Sequence, residues 1–377
     1  MKYLAVLGRQ PEISIAELEA TDFCTDIDRL GGTLKLAMKL DEKPLDYLSG
    51  LPEGKITLGV SDCSSHGSRK TASTEALKLK KILVRHGRSV RVVENKEATL
   101  STATSLHNGL SGKNPKKVEL IKTDDGWYRV IGVQDIDAYA KRDQARPARD
   151  AKVGMLPPKL AQILINLCGS LPENARILDP FCGTGVVLQE ALLMGYRAYG
   201  TDISERMVEY SEKNLEWLTA SEKGTLRTVR DDGSGMSEEP RNDGRDEASP
   251  ESTFSLAVGD ATSFNWAQPI DAVACEGYLG RPMSQPPVEI KLKTEKQECG
   301  AILMGFLKNL AKQIKSGTPV VIAAPAWLRP NGDYERLNLL DEIEELGYNV
   351  NNKTREGLLY HREGQIVARD IIILRKN

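Results

Sequence analysis

Three aspartates stand directly after short apolar segments of the sequence, at positions 179, 202 and 260. Asp179 ends the segment RILD, and a turn that contains Gly183 and Gly185 follows it. A helical apolar pattern and a second strand-like segment then lead to Asp202. Open α/β sheets bind ligands outside the carboxyl ends of parallel strands, so this order of elements predicts a nucleotide-type site.

The residues of the turn narrow the choice of ligand. The glycines are spaced G-T-G rather than G-x-G-x-x-G, and the Asp179 carboxylate before them would repel a pyrophosphate. That carboxylate would suit an ammonium group, and Asp202 is placed to bind a ribose diol. An aminoacyl nucleoside without phosphate meets both conditions, and we expect S-adenosylmethionine as the cofactor. The alternative is a glycine-rich turn in another α/β fold.

Composition sets the broad class of the protein. The 377 residues predict two or three domains, with 40% hydrophobic and 28% charged residues, as in soluble proteins. No apolar run approaches the roughly 18 residues of a membrane span. The start, MKYLAVLG, is too short for a signal peptide. The six cysteines form no C-x-x-C pair and the four histidines no H-E-x-x-H pattern. We therefore predict no metal site and a reduced, cytoplasmic location.

Basic residues are concentrated between Ser64 and Arg91, where eight lysines and arginines accompany one acid, Glu75. Ser73 or Thr74 is predicted to cap a helix that Gly87 ends. The candidate phosphate contacts of this segment, three of which share one helix face, are Lys78, Lys81, Arg85 and Arg88. The net charge of −2 means that any nucleic-acid surface is local. The alternative is an ordinary solvated helix face.

Domain boundaries follow from changes in composition. We predict an N-terminal α+β domain over 1–140, a linker over 141–160 and an α/β domain over 161–377. Arg142 and Arg146 in the linker are further candidate RNA contacts, and the linker itself could cover the cofactor pocket. Residues 220–252 are almost free of apolar side chains and are predicted to be a disordered insertion.

Four segments carry a resemblance to a known family: LGRQPEISIAELEA, QDIDAYAKRDQARPARD, DPFCGTG and GTDISERMVEYSEKNLEWL. The chain resembles the THUMP-containing tRNA guanine-N2 methyltransferases, which include the archaeal enzymes for position 10 of tRNA. The resemblance implies a ferredoxin-like and THUMP-type RNA-binding region. It also implies a Rossmann-like class I methyltransferase domain with a mainly parallel, seven-stranded sheet that a C-terminal hairpin closes.

The resemblance also implies roles for individual residues. Asp260 matches the acid that binds the adenine amine. The predicted cofactor site consists of Asp179, Phe181, Gly183, Gly185, Asp202, Ile203, Asp260 and Ala261, with the backbone of Gly183 and Gly185 at the methionine end. Glu276 matches the acidic position that orients the target amine, and Tyr278 is the candidate for stacking on the base. Arg281 is a candidate phosphate contact.

The catalytic segment departs from the family pattern. An Asp or Asn, two prolines and an aromatic residue are expected, whereas this chain has EGYLGRP over 276–282. We expect an active enzyme that methylates a guanine N2 amine of tRNA, at position 10 by resemblance. The alternatives are a methyltransferase for ribosomal RNA or DNA, and a tRNA-binding protein whose catalytic motif has drifted. Related eukaryotic enzymes use a small activator protein, and the sequence leaves open whether this chain needs one.

Overall fold

The computed structural model describes residues 1–150, 156–221 and 253–377. They form two compact units, Met1–Ala140 and Lys141–Asn377. No helix in these ranges is long and apolar enough to cross a membrane.

The first unit is an α+β structure with a six-stranded sheet in the order β1-β2-β6-β5-β3-β4. Strands β3, β4 and β5 are parallel, and the other neighbouring strands are antiparallel. Its elements are β1 (Tyr3–Leu7), α1 (Pro11–Ala20), β2 (Thr33–Lys39), α2 (Pro44–Ser49), β3 (Ile56–Asp62), α3 (Arg69–Arg85), β4 (Val90–Val92), α4 (Thr102–His107), β5 (Lys117–Thr123) and β6 (Gly126–Val133).

Helix α3 carries the basic residues of the first unit. Its cap is Ser68, which accepts a hydrogen bond from the Thr71 amide, so the predicted cap at Ser73 or Thr74 was wrong. Four apolar side chains of its inner face are buried: Ala72, Ala76, Leu79 and Leu83. The opposite face exposes Lys78, Lys81 and Arg85. Apolar burial on one face therefore leaves these three cations in solvent.

A buried ion pair joins two strands of this sheet. Lys35 Nζ on β2 lies 2.7 Å from Glu119 Oε1 on β5, and both side chains are almost completely buried. Lys35 also donates to the Leu100 carbonyl, while Ser61 and Ser105 donate to the carboxylate. Because each charge has several partners, the pair is tolerated in the interior, and losing one member would leave the other uncompensated.

We predict that Lys35→Met destabilises the first unit by about 3–5 kcal/mol, because Glu119 would remain buried without its cation. Lys39→Met is the matched control, since Lys39 lies 3.3 Å from the partly exposed Asp125 and its loss should cost less than about 1 kcal/mol. Urea unfolding of the full chain, with hydrogen exchange of β2 and β5, measures both. Equal effects of the two substitutions would contradict the prediction.

The second unit is an α/β structure with helices α5–α11 and strands β7–β15. Its helices are α5 (Ile136–Gln144, which begins in the first unit), α6 (Pro158–Asn166), α7 (Val186–Leu193), α8 (Glu205–Ser221), α9 (Glu289–Leu310), α10 (Leu340–Glu345) and α11 (Asn352–Glu356). Its strands are β7 (Arg176–Asp179), β8 (Arg197–Asp202), β9 (Phe254–Val258), β10 (Ala272–Glu276), β11 (Pro319–Leu328), β12 (Tyr334–Glu335), β13 (Tyr348–Val350), β14 (Leu359–Tyr360) and β15 (Val367–Lys376).

The sheet of the second unit is mixed. Seven strands follow the order β13-β15-β11-β10-β7-β8-β9, and β12 and β14 pair with β11 and β15 at its side. Among the described residues the sheet therefore has nine strands, where seven were predicted. The five strands from β11 to β9 are parallel, whereas β15 runs antiparallel to β11. The carboxyl ends of β7, β8, β9 and β10 therefore meet at one edge, where the predicted site residues stand.

Parts of the predicted linker and of the predicted insertion are helical. The segment 141–160, expected to be a linker, includes the end of α5 and the beginning of α6. The first two residues of the predicted insertion, Ala220 and Ser221, belong to α8. The rest of that insertion, residues 222–252, lies outside the described residues.

Candidate functional site

The turn between β7 and α7 depends on the conformation of its glycines. Gly183 has φ +51° and Gly185 has φ +79°, a region that favours glycine. A Cβ atom on Gly185 would lie 3.0 Å from Ser211 Oγ and 3.2 Å from Ser211 Cα. A Cβ atom on Gly183 would meet nothing nearer than the Phe181 carbonyl at 3.9 Å. Gly185 thus allows α8 to pack closely, and Gly183 leaves open space beside the turn.

Hydrogen bonds from α8 and β8 hold this turn. Asp202 Oδ2 accepts the Gly183 amide at 2.9 Å, and Oδ1 accepts the Ser204 amide at 2.9 Å. The Gly185 amide donates to the Cys182 carbonyl. Both glycine amides are therefore used within the protein. That the backbone of Gly183 and Gly185 binds the methionine end of the cofactor stays a prediction, and it would depend on backbone groups other than these two amides.

Asp179 lies at the end of β7 and is almost completely buried, with 2% of its surface exposed. Its Oδ1 accepts the Phe181 amide at 3.1 Å. Burial raises the pKa of Asp179 well above its ordinary value, and the nearby charges of Asp202 and Glu276 raise it further. Burial also raises the pKa of Asp202, against the amides of Ser204 and Gly183. Three carboxylates therefore converge at this edge, and their charge favours a cationic ligand.

The end of β9 contributes Asp260 and Ala261. Asp260 Oδ1 accepts hydrogen bonds from the amide and hydroxyl of Thr262, both at 2.8 Å, so it forms a local turn. Ala261 is buried, while Ile203 beyond β8 and Val258 at the end of β9 are 72% and 49% exposed. Exposed apolar side chains beside a carboxylate could accommodate a flat ring with a polar edge.

Glu276 lies at the end of β10 and is paired with an arginine from the last strand. Arg369 Nε donates to Glu276 Oε1 at 2.8 Å, and the two side chains are 7% and 15% exposed. Burial raises the pKa of Glu276, and the charge of Arg369 opposes that rise. The glutamate is thus a partly accessible carboxylate in a nearly dry environment. Arg369 was not predicted as a site residue, although the two charged residues within the apolar segment VARDIIIL were a signal for it.

The loop after β10 is held by acids of α9. Glu295 Oε2 accepts the Arg281 amide at 3.2 Å, and Tyr278 Oη donates to Glu298 Oε1 at 3.4 Å. The Arg281 guanidinium is 3.8 Å from Glu298 and its side chain is 72% exposed. Arg281 is therefore accessible to a ligand. Tyr278 is half-buried, with its hydroxyl directed to α9.

A small apolar pocket lies behind this loop. Its lining comes from the turn after β7, the loop after β10, α9 and β11, and consists of Phe181, Gly277, Tyr278, Cys299, Ile302, Leu303, Ile322, Ala324 and Pro325. The Phe181 ring meets Phe306 edge to face, with centroids 5.2 Å apart. Phe181 and Tyr278, predicted separately for cofactor and base, thus line the same pocket.

Three of the predicted RNA contacts are structural in this fold. Arg142 is ion-paired with Glu190, with 2.7 Å between Nε and Oε1, and its side chain is 16% exposed. The Arg146 side chain is fully buried. Arg88 donates to the carbonyls of Leu51 and Pro52. The prediction for Arg146 was wrong, because the number of charges in a segment does not show which side chains the fold encloses. Arg88 and Arg142 are partly exposed, and their RNA contacts stay predictions.

The segment before α6 is attached to α8. Asn214 exchanges hydrogen bonds with the backbone of Ala148, and it also donates to the Thr184 carbonyl in the glycine turn. Arg206 and Asp150 form an ion pair at 2.7 Å. One asparagine thus connects Ala148, in the segment before α6, with the turn of the site. Within the described ranges, no group of three or more His, Cys, Asp or Glu side chains could hold a metal ion.

Comparison with known proteins connects this geometry with methyltransferases. Residues 146–324 match the family model UPF0020, described as RMKL-like, methyltransferase domain. A relative from Methanothermobacter thermautotrophicus, named tRNA (guanine(10)-N2)-dimethyltransferase, is 29% identical over 188 residues, or 49% of this chain and 44% of that protein. A protein of the same name from Pyrococcus abyssi is 52% identical over 62 residues, 16% of this chain and 18% of that protein.

These matches span less than half the length of either relative. Among solved structures, TrmN from Thermus thermophilus aligns with 92% of this chain and 84% of its own, at 17% identity and a TM-score of 0.44. The segment that matches the methyltransferase model includes β7, β8, β9 and β10, whose carboxyl ends form the candidate site.

We predict that Gly185→Ala destabilises the second unit more than Gly195→Ala. Both glycines have similar φ values, +79° and +83°, so the backbone strain of about 1–2 kcal/mol should be similar. Only Gly185 would bring its new Cβ against Ser211, and this crowding should add about 1–3 kcal/mol, whereas Gly195 has nothing within 4 Å. Thermal unfolding of the two variants measures the difference. Equal midpoints would contradict the close packing of α8.

Proposed function

We propose that this protein is an S-adenosylmethionine-dependent methyltransferase that modifies the N2 amine of a guanine in tRNA. The observation that carries the proposal is the convergence of Asp179, Asp202 and Glu276 around a glycine turn. That turn lies within the segment that matches a methyltransferase family model. The relatives named tRNA (guanine(10)-N2)-dimethyltransferase support tRNA as substrate and position 10 as the target. We also propose that the first unit is a THUMP-type RNA-binding region.

The residues of the turn fit this cofactor. Asp179 and Asp202 offer negative charge to a ligand that carries an ammonium and a sulfonium, and Gly183 leaves space beside its backbone. Asp202 has two carboxylate oxygens, each with one amide partner, so further acceptor positions remain for a ribose diol. Ile203 and Val258 offer apolar surface for the adenine, with Asp260 nearby in sequence. When bound, S-adenosylmethionine supplies an electrophilic methyl group.

Glu276 is the residue for the target amine. Its partly exposed carboxylate can accept an N–H hydrogen bond from a guanine, which directs the nitrogen lone pair towards the methyl carbon. The nitrogen would form a bond to that carbon while the carbon–sulfur bond of the sulfonium breaks and its electron pair stays on sulfur, and the methylated nitrogen would then lose a proton to solvent. Tyr278 lies two residues further on and is the candidate for contact with an extruded base. Arg281 is exposed on the same loop and is the candidate for contact with phosphate.

The test is methyl transfer from labelled S-adenosylmethionine to unmodified tRNA transcripts, followed by identification of the modified nucleoside. We expect N2-methylguanosine, and we expect far less label on duplex DNA or a ribosomal RNA fragment. Labelled tRNA with a different methylated base would overturn the substrate assignment. Failure to bind the cofactor would overturn the whole proposal.

We predict that Asp202→Asn weakens S-adenosylmethionine binding about ten- to a hundredfold, because a charged hydrogen bond is worth about 1.5–3 kcal/mol. Isothermal titration calorimetry measures the affinity. The control is Asp341→Asn, which removes a charge from a carboxylate that is 91% exposed. Unchanged affinity in Asp202→Asn would contradict a ribose contact at this position.

We predict that replacing Lys78, Lys81 and Arg85 together by glutamine weakens tRNA binding and its salt dependence. Each lost phosphate contact should reduce the slope of log K against log salt by about 1. The matched control replaces three exposed lysines of the second unit, Lys308, Lys312 and Lys315. Binding assays over a salt series measure both. Equal slopes in the two variants would contradict a tRNA surface on α3.

A further inference from the structure

We propose that Arg369 is a positioning residue for methyl transfer, because it fixes one oxygen of Glu276 and leaves the other acceptor positions of that carboxylate for the target amine. The inference rests on the proposed function and extends it to a residue on the last strand, β15. It starts from the hydrogen bond of 2.8 Å between Arg369 Nε and Glu276 Oε1.

The sheet brings these residues together across an intervening strand. Glu276 on β10 is in register with Ala323 on β11, and Arg369 on β15 is in register with Pro325 on β11. Ala323 and Pro325 are two residues apart, so both stand on the sheet face that carries Glu276 and Arg369. Two strand spacings amount to about 9.5 Å, which a long arginine side chain can bridge. The small residues on β11 leave room for it to cross.

Both members of the pair are largely buried, and the glutamate keeps the larger exposed fraction. Glu276 retains 15% exposure of its side chain and Arg369 7%. Among the described residues, the bond from Arg369 Nε is the one hydrogen bond that the structure shows to the Glu276 side chain. A carboxylate has about four acceptor positions, so most of them remain for a substrate.

The charges around Glu276 give Arg369 a specific task. Asp179 on β7 is electrostatically coupled to Glu276, as is the thiol of Cys275 on its own strand. Helix α6 has one ionisable residue, Lys159, and burial lowers the pKa of its ammonium group. Burial raises the pKa of Glu276 and so favours its protonation, and Arg369 is the cation that opposes this rise. A protonated Glu276 would be a weaker acceptor and would also present an O–H donor to the amine, so it would orient the nitrogen lone pair less well.

The experiment compares pH–rate profiles of the full-length wild type and Arg369→Gln under saturating tRNA and cofactor. Removing a cation next to a buried acid should move the acidic limb of the profile to higher pH by about one unit or more. The rate below that limb should fall at least tenfold. Arg369→Lys keeps the charge without the planar guanidinium, so its limb should stay near that of the wild type while its maximal rate falls.

Arg142→Gln is the matched control. It breaks another arginine–glutamate pair of the same unit, Nε to Oε1 at 2.7 Å, without contact to Glu276. A loss of stability alone should appear in both variants, whereas the shift of the acidic limb should appear only in Arg369→Gln. A folded Arg369→Gln variant with an unshifted limb would overturn the inference.

A second measurement separates this inference from the proposed function. Carbon-13 NMR of labelled glutamate carboxyls, assigned with Glu276→Gln, gives the titration midpoint of Glu276 directly. The midpoint should rise in Arg369→Gln, and an unchanged midpoint would overturn the role of Arg369 regardless of activity. A wild type that transfers no methyl to any nucleic acid would refute the proposed function, and with it a role for Arg369 in that reaction.

Discussion

The concentration of negative charge at one edge of the second sheet is the constraint on which the site depends. Asp179, Asp202 and Glu276 end three strands of that sheet, and burial raises the pKa of each. Backbone amides stabilise the two aspartates, and a guanidinium stabilises the glutamate. Burial disfavours the ionised form of all three groups, so this edge suits a cationic ligand, which would stabilise the ionised form, and does not suit a phosphate, which would destabilise it.

The segment from Arg176 to Asp202 could be predicted because its signals are local. An apolar strand, two glycines, a helical pattern and a second strand follow each other within 27 residues, and the structure confirms β7, α7 and β8 in that order. The same local pattern predicted that Asp179 and Asp202 end their strands. It could not predict that the Gly183 amide donates to Asp202, because residue types alone do not determine the geometry of the turn.

The contacts that could not be predicted from the sequence join residues that are far apart in the chain. Arg369 is 93 positions from Glu276, and only the order of β10, β11 and β15 in the sheet brings the two together. Arg142 and Arg146 look like surface charges in a polar segment, yet the fold uses both internally. On α3, by contrast, a long regular helix determines which side chains face solvent, and all three candidates on it, Lys78, Lys81 and Arg85, are exposed.

The loop after β10 shows how a departed motif can keep a defined geometry. The resemblance leads one to expect two prolines here, which would restrict the backbone through fixed φ angles. Gly277 and Gly280 stand in this loop instead, and the restriction comes from hydrogen bonds: the Gly277 amide to the Ala323 carbonyl, and the Arg281 amide to Glu295. A Cβ on Gly280 would lie 2.6 Å from that same Glu295 oxygen. Glu276, which stands where the family pattern has a shorter side chain, is likewise restrained by a residue outside the loop, Arg369. Contacts from α9, β11 and β15 thus restrain this loop and Glu276, in place of the local restraint that the two prolines of the motif would provide.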